Sequence, residues 1–143
     1  MKKTLGVGDK VQHDDFFYTV EKVSTSNTIG DKKATGMFYI VTFKVQNDAK
    51  KVDHEWKNDV AYVIDENGKV YENNTEMQKI LNLMTSFGFK NSYITKAGTS
   101  ETTQFIFDIP LTVKQPYLKY KGDFLMGDMF DGNQFKNSRI KLF

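Results

Sequence analysis

The sequence predicts an all-β protein in which two antiparallel sheets pack face to face as a β-sandwich, with one short helix inserted between strands. Two observations carry this prediction. Apolar residues recur at every second position in several runs, which is the spacing of strands that bury one face, and Gly, Asn, Asp or Pro residues stand between these runs as turns. One segment has the 3.6-residue period of a helix instead. Many short strands with one helical exception favour a sandwich over other architectures.

The first half of the chain contains two predicted strands and a hairpin. Apolar residues alternate over Phe16 to Val20 and, most clearly, over Met37 to Gln46, whose second face begins apolar and ends polar. Val60 to Ile64 and Lys69 to Tyr71 flank Asn67-Gly68. Asn-Gly between two apolar runs is a strong hairpin signal because both residues tolerate positive φ.

Three further strands are predicted in the second half. Thr102 to Ile109 alternates and stops at Pro110, which has no N–H to donate to a neighbouring strand. Tyr117 to Tyr120 and Arg139 to Phe143 are shorter candidates.

The helical segment is predicted over about 75–87, between Asn74 and Gly88. Its apolar residues follow the i, i+3, i+4, i+7 spacing of one helix face: Met77, Ile80, Leu81 and Met84. Thr75 followed by Gln78 matches a capping box, and Glu76 suits the positive end of the helix dipole. We expect a short helix laid over the end of a sheet.

The composition of the chain excludes some classes of functional site. The chain has 143 residues, no cysteine, two histidines and a formal net charge of +2. We expect one domain over 1–143, with a C-terminal extension over 123–143. Sites built on thiolates are excluded, and the small net charge does not indicate a polyanionic partner by itself. Met1-Lys2-Lys3-Thr4 is followed by glycines and Asp9 rather than by an apolar stretch, so we do not expect it to act as a signal peptide.

The candidate catalytic and metal-ligating residues are few. His13-Asp14-Asp15 and His54-Glu55 contain residue types that bind metals, but both groups are expected in solvated turns, and nothing in the sequence brings them together. Neither a nucleophile elbow nor a phosphate-binding glycine loop is present. We therefore expect no catalytic residues, no cofactor and no metal.

The candidate binding residues are aromatic. Trp56 is expected in a polar loop, where it could stack on a sugar or belong to the core. The basic-aromatic stretch around Tyr117 and Tyr120 is the one hint of a nucleic-acid surface, but the other basic residues are scattered, so nucleic acid is not expected as a partner. In the tail, an apolar group that includes Phe124 and Phe130 either closes the core or contacts a partner chain.

The order of the motifs resembles a known family. Gly8-Asp9 precedes the strand Phe16 to Val23, Gly36 introduces Phe38 to Asn47, and the acidic hairpin Ile64 to Tyr71 is followed by Phe105 to Pro110. This resembles a bacterial family of secreted, usually lipid-anchored, immunoglobulin-like domains of unknown function. That family is grouped with mycobacterial-type immunoprotective extracellular antigens and is sometimes mislabelled as a telomeric repeat-binding factor.

The resemblance covers roughly residues 6–118 and departs in two places. Ala97-Gly98 replaces a usual Pro-Gly, and the tail after Asp123 is longer and more aromatic. The resemblance implies an immunoglobulin-like topology, an extracellular or cell-envelope location, a possible lipid anchor on the full-length precursor, and no transferable catalytic residues.

Together these observations predict a non-catalytic extracellular binding or interaction module of a bacterial cell-envelope protein. Its ligand would be an unidentified protein or envelope component. Two alternatives remain open. The first is an enzyme, or a domain associated with one, that acts on cell-wall glycans through unrecognised carboxylates. The second is a structural subunit that pairs with a second copy through the tail.

Overall fold

The computed structural model describes residues 3–121 and 138–143, and these residues form eleven strands and one helix. The strands are β1 (Lys3–Leu5), β2 (Lys10–His13), β3 (Phe16–Ile29), β4 (Lys32–Asn47), β5 (His54–Lys57), β6 (Ala61–Ile64), β7 (Val70–Tyr71), β8 (Ser92–Thr95), β9 (Ser100–Ile109), β10 (Tyr117–Tyr120) and β11 (Ser138–Lys141). The helix is α1 (Thr75–Leu83), between β7 and β8. The predicted β-sandwich with one short helix is confirmed.

Two sheets face each other across the core. One has the order β1-β11-β10-β6-β7 and the other the order β2-β3-β4-β9, while β5 and β8 form a two-stranded ribbon beside them. All pairs are antiparallel except β1 with β11, which run parallel. This parallel pair departs from the purely antiparallel prediction, and it joins the two ends of the chain in one sheet.

The core lies between the two sheets and is rich in aromatic residues. Phe43 of β4 is fully buried, with its ring centroid 4.9 Å from that of Phe105 and 5.9 Å from that of Tyr120. Phe43 therefore connects the four-stranded sheet to the five-stranded one. Each pair of this kind adds about 0.5–1.5 kcal/mol beyond the burial of its area.

A second, smaller apolar cluster explains why β4 is apolar on both faces near its start. Phe38 points away from the main core and packs with Ile29, Ile106 and Met77 of α1. The helix thus covers the outer surface of the four-stranded sheet. The structure also extends the predicted strand 16–20 to Ile29, since the mostly polar residues after Glu21 continue to pair with β4.

The helix begins at Thr75, as predicted, but its capping residue and its last residue differ from the prediction. Asn74, not Thr75, is the N-cap, and its side-chain oxygen accepts a hydrogen bond from Met77 N at 3.1 Å. The helix ends at Leu83, four residues before the expected limit, and Met84 is 66% exposed. Gln78 does not reach back to the cap, because its side chain is buried against the sheet.

The inner face of the helix is partly polar. Gln78 Nε2 donates to Asn58 Oδ1 at 2.8 Å, and Thr103 Oγ1 lies 3.0 Å from Asn82 Nδ2 and 3.1 Å from the Tyr93 hydroxyl. Most buried amide groups in proteins are hydrogen-bonded. This network fixes the helix in one position on β9, which a purely apolar contact would do less specifically.

Within residues 3–121 and 138–143, no helix is long and apolar enough to cross a membrane.

Candidate functional site

The outer face of the five-stranded sheet carries two cross-strand rows of exposed or half-buried side chains. Strand alternation puts Leu118, Val63 and Ile140 into the core, so their neighbours point outward. The register aligns Thr4, Arg139, Lys119 and Tyr62 in one row, and Lys141, Tyr117, Ile64 and Val70 in the other. We call these eight residues, together with Phe143, the tyrosine–cation face.

Arg139 is held in place on β11, next to the edge strand β1. Its guanidinium carbon lies 4.1 Å from the centroid of the Tyr117 ring, and its Nε donates to Thr4 Oγ1 at 2.9 Å. A guanidinium stacked on an aromatic ring gains cation–π attraction. The orientation of the guanidinium is therefore set by stacking on Tyr117 and by the hydrogen bond to Thr4.

Phe143 and Lys141 repeat this arrangement beside Arg139. The Phe143 ring meets the Tyr117 ring edge to face, with centroids 5.4 Å apart and planes at 83°. Lys141 Nζ lies 4.7 Å from the centroid of the Phe143 ring. The two aromatic rings thus orient two cations that are two residues apart on one strand.

Two cations stand side by side on this face. Arg139 and Lys119 stand directly opposite each other on β11 and β10, a like-charge pairing that destabilises a sheet by a few tenths of a kcal/mol or more. Among the described residues, neither Arg139 nor Lys141 forms an ion pair. An anion bound here would remove the repulsion.

At the other end of the face, an acid is present. Burial and the neighbouring Glu72 raise the pKa of Tyr62, while Lys121 acts in the opposite direction. Lys121 Nζ and the Glu72 carboxylate are 3.3 Å apart. Positive charge is therefore concentrated at the β10–β11 end, and the β7 end is compensated.

The predicted binding residues lie in different parts of the structure. Tyr117 is half-buried on the tyrosine–cation face, whereas Tyr120, three positions later, points into the core and is 2% exposed. Trp56 is 1% exposed, and its Nε1 donates to Thr95 Oγ1 at 2.9 Å. Trp56 is thus a core residue on strand β5 rather than part of a polar loop. The predictions for Phe124 and Phe130 concern residues outside the described parts of the chain.

The structure buries both histidines, which the sequence analysis expected in solvated turns. His13 and His54 are both buried, at 2% and 3% exposure. The Tyr18 hydroxyl lies 2.7 Å from His54 Nε2, and the Phe16 ring stacks on the imidazole with centroids 4.1 Å apart. Alternation on short strands explains the burial, because His54 and Trp56 share the inner side of β5.

The environment of His54 favours a neutral side chain. Burial, followed by the proximity of His13, lowers the pKa of His54 from 6.5 to about 4. Burial also raises the pKa of Tyr18 far above its ordinary value, as it does for Tyr120. A neutral imidazole and a protonated phenol can share the hydrogen bond between them.

The His, Asp and Glu side chains were considered as possible metal ligands in the sequence. In that part of the chain, no group of three or more His, Asp or Glu side chains is placed to hold a metal ion. Asp14 and Asp15 instead line an open concavity of about 480 Å³ with Phe16, Ala49 and Val52.

The residues that carry the sequence resemblance have structural roles. Asp108 accepts hydrogen bonds from the backbone N–H groups of Thr35 and Gly36 at 2.8 and 2.9 Å, which ties the end of β9 to β4. Asp65 accepts from the N–H groups of Asn67 and Lys69, at 2.8 and 2.9 Å, and so closes the hairpin. These hydrogen bonds explain the two motifs by their part in the fold.

Comparisons with known proteins agree with the fold. No family model matches the sequence, and no curated protein matches it. Among solved structures, the chain is similar to the yjhA protein from Bacillus subtilis, with a TM-score of 0.66, 14% identity, and coverage of 97% of this chain and 99% of that one. It is also similar to a conserved hypothetical protein from Bacillus anthracis, with a TM-score of 0.66, 15% identity, and coverage of 84% and 92%.

A third similar structure is the secreted protein MPT63 from Mycobacterium tuberculosis. Its TM-score is 0.64 at 10% identity, and the match covers 99% of this chain and 98% of that one. At such identities the likeness concerns the fold alone. The chain is therefore structurally similar to bacterial β-sandwich proteins of unknown function, at least one of which is secreted.

Proposed function

We propose that this protein is a non-catalytic binding module of the bacterial cell exterior that recognises an envelope component through the tyrosine–cation face. The observation that carries the proposal is the placement of Arg139 and Lys141. Both are held over aromatic rings, and neither has a carboxylate partner among the described residues. Cations that are oriented over aromatic rings suit recognition of an external anionic group.

The scaffold supports this use of the face. Strands β6, β10 and β11 are anchored by fully buried side chains, so the outward residues are presented on a rigid sheet. A ligand then orders few side chains on binding, which limits the entropic cost of association. The fold shared with a secreted protein supports the extracellular location.

The test is cosedimentation of the labelled protein with purified bacterial envelopes. The variant Arg139→Gln/Lys141→Gln removes two charges from the face but keeps side chains of comparable length. Its matched control is Lys32→Gln/Lys33→Gln, which removes the same charge from exposed positions at the start of β4. We expect the face variant to lose most of its sedimentation and the control to retain it.

Two results would overturn the proposal. Equal sedimentation of both variants would show that the face does not bind the envelope. Release of soluble wall fragments or reducing ends by the purified protein would instead support the glycan-acting alternative.

A further inference from the structure

We infer that the ligand of the tyrosine–cation face is a linear polyol-phosphate polymer of the bacterial envelope, a chain of phosphodiesters without bases. This inference rests on the proposed function and names the chemistry that the face would recognise. It follows from three features: the donors that Arg139 leaves available, the spacing of the cations, and the use of the aromatic rings.

Arg139 presents a phosphate-binding geometry. Its Nε is bonded to Thr4, and the guanidinium plane is stacked on Tyr117. Among the described residues, its two terminal amino groups have no hydrogen-bond acceptor. Two parallel N–H groups match two oxygens of one phosphate, and prior orientation of the fork lowers the entropy lost on binding.

The spacing of the cations favours a chain of anions over a single one. Arg139 and Lys141 project from the same side of β11, about 7 Å apart along the strand. Lys119 stands opposite Arg139 on β10, about 5 Å away across the sheet. One phosphate can engage Arg139, but a polymer that runs along β11 meets Arg139 and Lys141 in succession.

The aromatic rings favour a polymer without bases. Proteins that bind single-stranded nucleic acid stack bases on open aromatic faces. Here Arg139 covers the Tyr117 ring, and Phe143 packs against that ring edge to face. Lys141 in turn lies over the ring of Phe143. The rings are occupied in orienting cations, so the face offers charge and hydrogen bonds more than stacking.

A lipid surface fits the same face less well. Membrane docking needs apolar side chains that project into the interface. On this face the most exposed apolar residues are Val70 and Phe143, at 49% each, and they belong to strands at different positions in the sheet. Ile64 and Tyr117 between them are half-buried.

The experiment is a titration with a fluorescently labelled synthetic poly(glycerol phosphate) of about ten units, followed by anisotropy at 50 and 300 mM NaCl. We expect binding that weakens at least tenfold at the higher salt, because surface charges are screened over about 10 Å at 0.1 M ionic strength. Arg139→Gln/Lys141→Gln should weaken binding at least tenfold at 50 mM NaCl. Lys32→Gln/Lys33→Gln should change it less than twofold.

Two additional variants separate chemistry from folding. Arg139→Lys keeps the positive charge but loses the two parallel N–H donors of the guanidinium. If the site recognises phosphate through these donors, this variant should bind the polymer about threefold to tenfold more weakly. Lys141→Glu alters an exposed residue that leaves the core untouched, and it should also weaken binding. Thermal midpoints within 2 °C of the unaltered protein verify that each variant is folded.

The same titration is repeated with three other anionic ligands: single-stranded DNA of equal charge, poly-γ-glutamate, and vesicles containing phosphatidylglycerol. Binding to poly(glycerol phosphate) at least tenfold tighter than to each of these supports the inference. Equal or tighter binding to any of the three overturns it, as does an unaffected Arg139→Gln/Lys141→Gln variant. Face-dependent binding to whole envelopes without binding to the polymer overturns this inference alone and leaves the proposed function standing.

Discussion

Gly36 occupies a position where the fold has no room for a side chain, and Gly36→Ala tests the account of how β4 meets β9. A Cβ at this position would overlap the carbonyl oxygen of Ile109, and it would lie 2.7 Å from the carbonyl carbon and 2.8 Å from Pro110 Cα. These are backbone atoms, so relief requires the end of β9 to move. That movement would also disturb the hydrogen bonds from Thr35 and Gly36 to Asp108.

The expected loss in the free energy of unfolding depends on what the new Cβ would meet. Overfilling a packed site costs about 1–3 kcal/mol, and a backbone obstacle places Gly36→Ala near the upper end, at about 3 kcal/mol. Gly68→Ala is the matched control. Gly68 has a φ of +84° and nothing within 4 Å of the added Cβ. Its substitution therefore adds only left-handed strain, about 1 kcal/mol.

Urea unfolding followed by far-UV circular dichroism measures both free energies. With a slope of about 1.5 kcal/mol per M, Gly36→Ala should lower the midpoint by about 2 M, and Gly68→Ala by less than 1 M. A Gly36→Ala variant as stable as Gly68→Ala, or within 0.5 kcal/mol of the unaltered protein, would refute the tight approach of β4 and β9.

Three further predictions concern other parts of the fold. The pKa of His54 is about 4 in the folded protein and 6.5 in its ordinary state, so the unfolded chain binds the proton more readily. Stability should be fully retained above pH 6.5 and should fall by up to about 3 kcal/mol as the pH approaches 4. His54→Gln should remove most of that dependence in urea titrations across this pH range, and an unchanged pH profile would contradict the assignment. Asn74→Ala should lower the free energy of unfolding by about 1 kcal/mol through loss of the helix cap, whereas Thr75→Ala should change it by less than 0.5 kcal/mol; the reverse order would place the cap at Thr75. Thr103→Val should cost about 1–3 kcal/mol, because it leaves buried partners of the Thr103 hydroxyl unpaired. Thr103→Ser keeps that hydroxyl and should cost less, and equal losses would argue against the network.

The predictable part of the fold is the part governed by burial on one face. β4 and β9 alternate because one side of each faces the main core, and this period is visible in the residues alone. The second half of β3 lacks it, since Ser24 and the residues that follow pair with β4 beyond the core. The pairing of β1 with β11 was not predicted, because each is short and they come from opposite ends of the chain.

Polar residues in the interior account for the remaining differences. His54 was expected in a solvated turn, yet it lies beside Trp56 on the inner side of β5. Their spacing of two was a detectable signal, but a four-residue strand is too short for alternation to stand out from a loop. Gln78 and Asn82 are buried with hydrogen-bond partners that are distant in sequence, Asn58 in the turn after β5 and Thr103 on β9. Such partners cannot be recognised without the fold.

The candidate site was predictable only in part. Tyr117 was identified as a binding candidate, and the odd spacing to Tyr120 already implied opposite faces of one strand. The contribution of Arg139 and Lys141 depends on β11 lying next to β10, a pairing between segments some twenty residues apart. Only the sheet order reveals that these cations flank Tyr117.

The central claim is that the outer face of the five-stranded sheet binds the ligand. The most direct test is a series of two-dimensional ¹H–¹⁵N spectra of the labelled protein titrated with poly(glycerol phosphate) and, separately, with solubilised envelope fragments. The account predicts that the largest shift changes fall on amides of β10 and β11 and on the side-chain Nε–H of Arg139. Changes concentrated instead around Asp14 and Asp15, at the open concavity on the other sheet, would contradict it.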